Sequence, residues 1–158
     1  MPRSRPAAGS RVFKVDVWRS LMEVHNAVLR EIEGALAERH RLSVSEFDTL
    51  VNIPLEGTRL RELKDRVVLS QSAVSRLCDR LEDRGYITRA PVDEDMRGAS
   101  IQLTEAGRKL LRGAVRTNAE VVERAFADRL SEAQLTSLRE ILDQLQTPDR
   151  PEAGGTIR

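Results

Sequence analysis

The chain has little of what a disulfide scaffold, a zinc centre or a membrane anchor is built from. One cysteine in 158 residues leaves no partner for an intramolecular disulfide. With only two histidines beside it, and no CxxC or HExxH spacing, the composition argues against a structural metal site. No apolar run approaches the ~18 residues that a membrane span requires. The basic start MPRSRPAAGS is not followed by the apolar segment of a secretory signal. These absences predict a cytoplasmic protein without cofactor, metal or membrane contact. Gly-rich strand–turn–helix motifs and nucleophile–base pairings are missing too, so no enzyme is expected. A net charge of only +1 gives no global attraction for polyanions, so any affinity for nucleic acid must come from a local patch.

What is present favours helices. Aromatics make up 3% of the chain, while the 40% hydrophobic fraction is mostly Leu, Val and Ala beside 32% charged residues. Four of the six prolines fall in residues 1–10 and 147–158, which read as flexible tails. Between them, residues 11–40 carry three apolar rows stepping by seven: Trp18, His25, Ile32; Leu21, Val28, Ala35; Met22, Leu29, Leu36. That stripe is broader than a small domain needs for itself and predicts a dimerisation helix. Two overlapping capping boxes, at Ser43 and Ser45, announce a second helix that stops at Pro54.

A short helix is expected over Arg59–Val67 with Thr58 as its N-cap, then a tight turn, then a helix from Ser70 to Arg84 ended by Gly85. Two helices so joined form a helix-turn-helix. YITRAPV and ASIQLT follow as β-favouring segments around the charged turn DEDMRG, which predicts a hairpin, or wing. Residues 43–103 thus read as one lobe. Over 104–146, Thr104 and the S-E-A-Q box at Ser131 cap two further helices, expected to join the dimerisation region. The fold class is mainly α with a small β-hairpin (α+β): a winged helix-turn-helix core flanked by N- and C-terminal dimerisation helices.

Residues 70–84 place Ala73, Val74, Leu77, Cys78 and Leu81 on one face of a helical wheel. The opposite face starts with Gln71, Ser72, Ser75 and Arg76 and becomes acidic only at Asp79 and Asp83. Small polar groups followed by Gln and Arg suit a helix that enters the major groove by its N-terminal turns. Its N-terminal N–H groups would also favour a phosphate. From Thr58 to Arg89, eight basic residues face five acidic ones, an excess of three in a chain whose total is +1. Residues expected to touch DNA are Thr58, Ser70, Gln71, Ser72, Ser75, Arg76, Arg80, Arg89 and Arg97. Arg97, at the hairpin tip, would enter the minor groove, and Asp95 would turn inward to orient an arginine. An alternative is a winged-helix protein-interaction module that never touches DNA.

The order LSQSAVSRLCDRLEDRGYITR, DEDMRG, IQLTEAG closely resembles the MarR family of bacterial winged-helix transcription regulators. The resemblance covers about residues 15–145. It implies an obligate homodimer on a palindromic double-stranded DNA operator, with recognition helix Ser70–Arg84, wing-tip Arg97 and the D-x-R acid Asp95. It further implies a repressor released by a small aromatic or anionic effector, for which Trp18, Met22, His25 and Asn26 are candidate wall residues, the alternative being that Trp18 and His25 belong to the dimer seam. Two places depart from the family pattern: Leu63-Lys64 where Leu-Ala is frequent, and Val67-Val68 where a turn glycine is frequent. Some relatives sense oxidants through a cysteine early in the first helix; Cys78 lies instead on an apolar face, where a thiol is expected to be inert.

Overall fold

The structure, a computed structural model, describes residues 9–67, 71–91 and 99–146. Helix α1 (Arg11–His40) starts where the Ser10 hydroxyl accepts the Phe13 N–H at 3.2 Å. It ends at Arg41, held in the left-handed region at φ 54°, with the Arg41 and Leu42 amides returned to the Ala37 and Leu36 carbonyls. Helix α2 (Val44–Val51) opens with a reciprocal capping box between Ser43 and Glu46. The second expected box does not form: Ser45 lies inside α2, and its carbonyl accepts the Thr49 hydroxyl at 2.8 Å.

Strand β1 (Thr58–Arg59) precedes helix α3 (Leu60–Arg66). Here the expectation for Thr58 is corrected. Residue Arg59, not Thr58, occupies the cap position, because Thr58 pairs with Ile101 as part of a sheet edge. The Thr58 hydroxyl and the Arg59 amide both donate to the Glu62 carboxylate, at 3.1 and 3.4 Å. Those hydrogen bonds, the Arg59 amide's first, hold the Glu62 carboxyl below its usual range. Helix α4 (Gln71–Asp83) follows and ends before Gly85, whose φ of +73° is the expected left-handed stop.

Strands β2 (Ile87–Pro91) and β3 (Ala99–Leu103) pair antiparallel with Arg89 opposite Ile101, and β1 adds to the other edge of β3. The expected hairpin is therefore a three-stranded sheet whose third member is too short to leave a period in the sequence. Helix α5 (Glu105–Ala125) is capped by the Thr104 hydroxyl, which accepts the Gly107 amide at 2.9 Å. A single 3₁₀ turn, Ala127–Arg129, leads to α6 (Glu132–Gln146), opened by the Ser131–Gln134 box.

One core serves α2, α3, α4, the sheet and the facing parts of α1 and α5. Leu36, Leu50, Leu63, Val74, Leu81 and Ile101 are fully buried within it. Each such side chain contributes about 1.5–3 kcal/mol relative to exposure. The C-terminal half of α1 lies against α5 through Leu36, Ala114, Thr117 and Val121. That pairing is edged by His40 Nε2 to the Thr117 hydroxyl at 2.8 Å and Arg39 to Glu120 at 2.7 Å. Earlier in α1, Val12, Val15, Trp18, Leu21 and Val24 stay exposed, and α6 buries none of its residues.

Candidate nucleic-acid interface

Helix α4 shows the predicted two-sidedness. Val74, Leu77, Cys78 and Leu81 are buried, while Ser72, Arg76, Asp79 and Asp83 are exposed and Ser75 is half-buried. Ser72, Arg76, Arg80 and Arg84 fall every fourth residue, so they form one row along the helix. The Arg76 guanidinium lies back along α4, with Nε donating to the Ser72 carbonyl at 3.3 Å. It has no carboxylate partner among the described residues. Across from it the N-terminal end of α2 contributes Ser43 and Ser45 to a shallow cleft of about 330 Å³, floored by Ala73 and Leu77 and flanked by Arg76 and Arg80.

Two other arginines expected to reach DNA are committed within the chain. Arg80 Nε stands 3.5 Å from Glu46, though the Arg80 side chain remains 56% exposed. Arg89 sits deeper. Its Nη2 meets Asp79 at 2.7 Å and the Ser75 carbonyl at 3.3 Å, its Nε faces Glu82 at 3.5 Å, and its amide donates to Glu82 at 3.2 Å. Burial alone opposes charge on Arg89, but the Asp79 hydrogen bond and the Asp79 and Glu82 charges overrule it and keep the guanidinium protonated. The acidic later turns of α4 are thus partners of an arginine on β2. Removing that arginine, as in Arg89→Ala, would strand Asp79 and Glu82 beside the exposed row of α4. It should cost about 1 kcal/mol of stability, kept small because both carboxylates are partly solvated. It should also weaken duplex binding irrespective of sequence; thermal melts and titrations with two unrelated duplexes check both.

Thr58 is buried with its hydroxyl spent on Glu62, so the structure separates it from the α4 row. Ser70, Asp95, Arg97 and Val68, and the side chain of Gln71, lie outside the described residues. Cys78 has no exposed surface, and burial pushes its thiol up against the opposing influence of the Arg89 charge, which leaves little reactive thiolate at neutral pH. Among the described residues no group of three or more His, Cys, Asp or Glu could hold a metal ion, and no helix is long and apolar enough to cross a membrane.

Of the four residues named as effector walls, Trp18, His25 and Asn26 are exposed along α1 in the single chain and Met22 is half-buried. Trp18 is 62% exposed on the outer part of α1, and the His25 ring meets only its neighbour Asn26, at 3.3 Å, across an exposed surface. His25 borders an apolar groove between α1 and α5, with Val28, Ile32 and Phe126. A larger trough of about 640 Å³ lies elsewhere, between α5 and the segment after α2 with the end of β3. Leu55, Leu103, Leu111 and Val115 form its apolar walls, and Arg108, Arg112 and Arg116 line it at intervals of four residues. None of these three guanidinium groups has a carboxylate partner among the described residues. Sequence reading missed them because four-residue spacing of arginines on a helix is common, and the trough needs Leu55 and Leu103 from distant parts of the chain.

Helices α2 to α4 with the β1–β3–β2 sheet are a winged helix-turn-helix lobe, and long helices carry it at both ends. Residues 40–98 match the family model described as MarR family. The chain is 30% identical over 112 residues to the HTH-type transcriptional regulator PecS of Dickeya dadantii, an alignment that covers 68% of this chain and 67% of that one. Its fold superposes on Sco3205, a MarR family transcriptional regulator from Streptomyces coelicolor solved in complex with DNA, with a TM-score of 0.76 and 26% identity over 96% of this chain and 97% of that chain. AbsC, a MarR family regulator from the same organism, gives 0.74 and 26% over 89% and 95%. The chain belongs to the MarR family of transcriptional regulators.

Proposed function

We propose that the protein is a homodimer that reads a two-fold-symmetric site in double-stranded DNA, each copy placing the first turns of α4 in the major groove and the β2–β3 hairpin toward the adjacent minor groove. The observation that carries this reading is the surface of exposed Ser72 and Arg76 beside half-buried Ser75 at the start of a helix whose other face is locked into the core. Small side chains there permit close approach, and Arg76 has the reach and fork to bind a guanine edge. The two reading helices of a dimer would lie about 34 Å apart, one turn of B-DNA. That Sco3205 was solved in complex with DNA supports the reading of the chain as a DNA binder.

The test is Arg76→Ala. Because Arg76 has no ion pair among the described residues, the variant should fold as the parent does, yet lose about 1–3 kcal/mol of specific affinity, roughly 10- to 100-fold, with relaxed preference at one base position of each half-site. Selection of bound duplexes from a random pool at fixed salt, followed by titration, measures both quantities. Wild-type-like affinity and preference in the variant would remove Arg76 from the reading surface.

Control of this binding, as a repressor released by a small molecule, is supported by the trough beside α5. Apolar walls with three guanidinium groups that have no carboxylate partner among the described residues suit an amphipathic anion such as an aromatic carboxylate. Arg112→Ala should reduce binding of such anions about tenfold or more while leaving duplex affinity in their absence unchanged, as measured by calorimetry and by duplex release.

A further inference from the structure

We infer that Glu46 and Arg84 are positioning residues: together they fix the end of the reading helix against the end of the dimerisation helix and so set the pose in which α4 meets DNA. The inference rests on the proposed reading of DNA by α4. The apolar face of α4 holds it to the core, but a row of Val74, Leu77 and Leu81 resists rolling or sliding weakly, since dispersion contacts are non-directional. Directional restraint comes from two places: Arg89, which ties Ser75, Asp79 and Glu82 to β2, and the last turn, which alone is tied to α1 and α2. Glu46 is only 7% exposed, a rare state for a carboxylate. Its Oε2 accepts the Ser43 amide at 2.9 Å, which ties it to the start of α2. Its Oε1 faces Arg80 Nε at 3.5 Å and Arg84 Nη1 at 3.4 Å, which ties it to α4.

Arg84 then extends the connection to a third element. Its Nη2 donates at 2.8 Å to the carbonyl of Arg41, the left-handed residue that terminates α1. The guanidinium also lies 5.0 Å from the centre of the Tyr86 ring. One planar fork therefore touches the end of α1, the start of α2 and the entry to β2. A lysine ammonium at the same place is a single point and cannot bridge Glu46 and the Arg41 carbonyl with fixed geometry. The Arg84 side chain is 31% exposed, and Nη1 and Nη2 both have partners on other elements, which sets it apart from Arg76 in the same row.

The experiment compares Arg84→Gln, Arg84→Lys and Glu46→Gln with the parent protein. Each is titrated with the tightest duplex that the parent selects from a random pool and with a scrambled duplex of equal length and composition, over a range of salt. A positioning role predicts that all three lose about tenfold in affinity for the selected duplex. Affinity for the scrambled duplex and the salt slope should stay at parental values. Glu46→Gln is the most diagnostic, since removal of a negative charge would otherwise tighten binding to both duplexes. If Arg84→Gln is unfolded by circular dichroism, the other two decide on the same criteria. A salt slope lower by about one charge in the Arg84→Gln protein, with both affinities falling together, would make Arg84 a phosphate contact and overturn the inference. So would parental discrimination in Arg84→Lys or in Glu46→Gln. Absence of salt-dependent duplex binding by the parent would sink the DNA reading itself, a separate outcome.

Discussion

Gly107→Ala is expected to be among the most destabilising single-methyl additions in the protein. Gly107 is the glycine of the L-T-x-x-G stretch, on the first turns of α5, and it lies directly against the backbone of Tyr86. A Cβ at this position would run into the Tyr86 carbonyl oxygen and stand 2.9 Å from its carbon. Neither atom belongs to a flexible side chain. The same carbonyl accepts the Thr104 amide at 3.1 Å, and the Thr104 hydroxyl donates to the Gly85 carbonyl at 2.7 Å. The start of α5 is therefore sewn to the turn that follows the reading helix, and the methyl can be accommodated only by parting the two. Backbone displacement of this kind costs about 3 kcal/mol or more. In a chain of this size that should lower the melting temperature by roughly 6–12 °C.

Gly85→Ala supplies the comparison. Its φ of +73° makes any side chain unfavourable, by about 1–2 kcal/mol, but nothing lies within 4 Å of the added carbon. The expected order is Gly107→Ala well below Gly85→Ala, and Gly85→Ala below the parent, in calorimetric or dichroic melts at matched concentration. A Gly107→Ala protein as stable as Gly85→Ala would show that α5 does not pack on the Tyr86 backbone as described.

What was legible in advance divides by distance along the chain. The caps at Ser43, Thr104 and Ser131 and the left-handed stop at Gly85 depend on groups within four residues, and the structure has all of them. Thr58 was misassigned because its conformation is set by Ile101, more than forty residues away, through a two-residue strand that leaves no alternating pattern. The arginines show the same limit. Composition located a basic excess near α4, but not which guanidinium is already spent. Glu46, which holds Arg80 and Arg84, belongs to another helix, and Asp79, which helps to hold Arg89, shares a wheel face with Ser72 and Arg76, where nothing in the pattern ties it to β2. Arg76, by contrast, has no carboxylate partner among the described residues, and its guanidinium lies back on the Ser72 carbonyl. The arginines lining the α5 trough acquire meaning only once folding brings Leu55 and Leu103 beside them.

Ile141→Asp should convert the protein to monomers and with them abolish tight operator binding. Ile141 is 52% exposed in the single chain and Leu145 is 74% exposed, on a helix that buries no residue of its own. Leu21 and Val24 on α1 are similarly uncovered. A 15-residue helix with that apolar stripe is marginal in water and needs a covering surface. We propose that a second copy supplies it through α1, α5 and α6. An aspartate at position 141 costs the chain nothing in its own core, so its effect falls on the assembly. Two-fold symmetry places the charge at two equivalent positions, each costing about 3 kcal/mol in lost burial and carboxylate desolvation. The dissociation constant should then rise by roughly four orders of magnitude. A monomer engages one half-site at a time and forfeits the effective-concentration gain of the linked pair, about 100- to 10,000-fold in affinity. Light scattering reports the first effect and titration with full and half operators the second. A dimer that survives the substitution, or a variant that still prefers the full operator, would place the interface elsewhere.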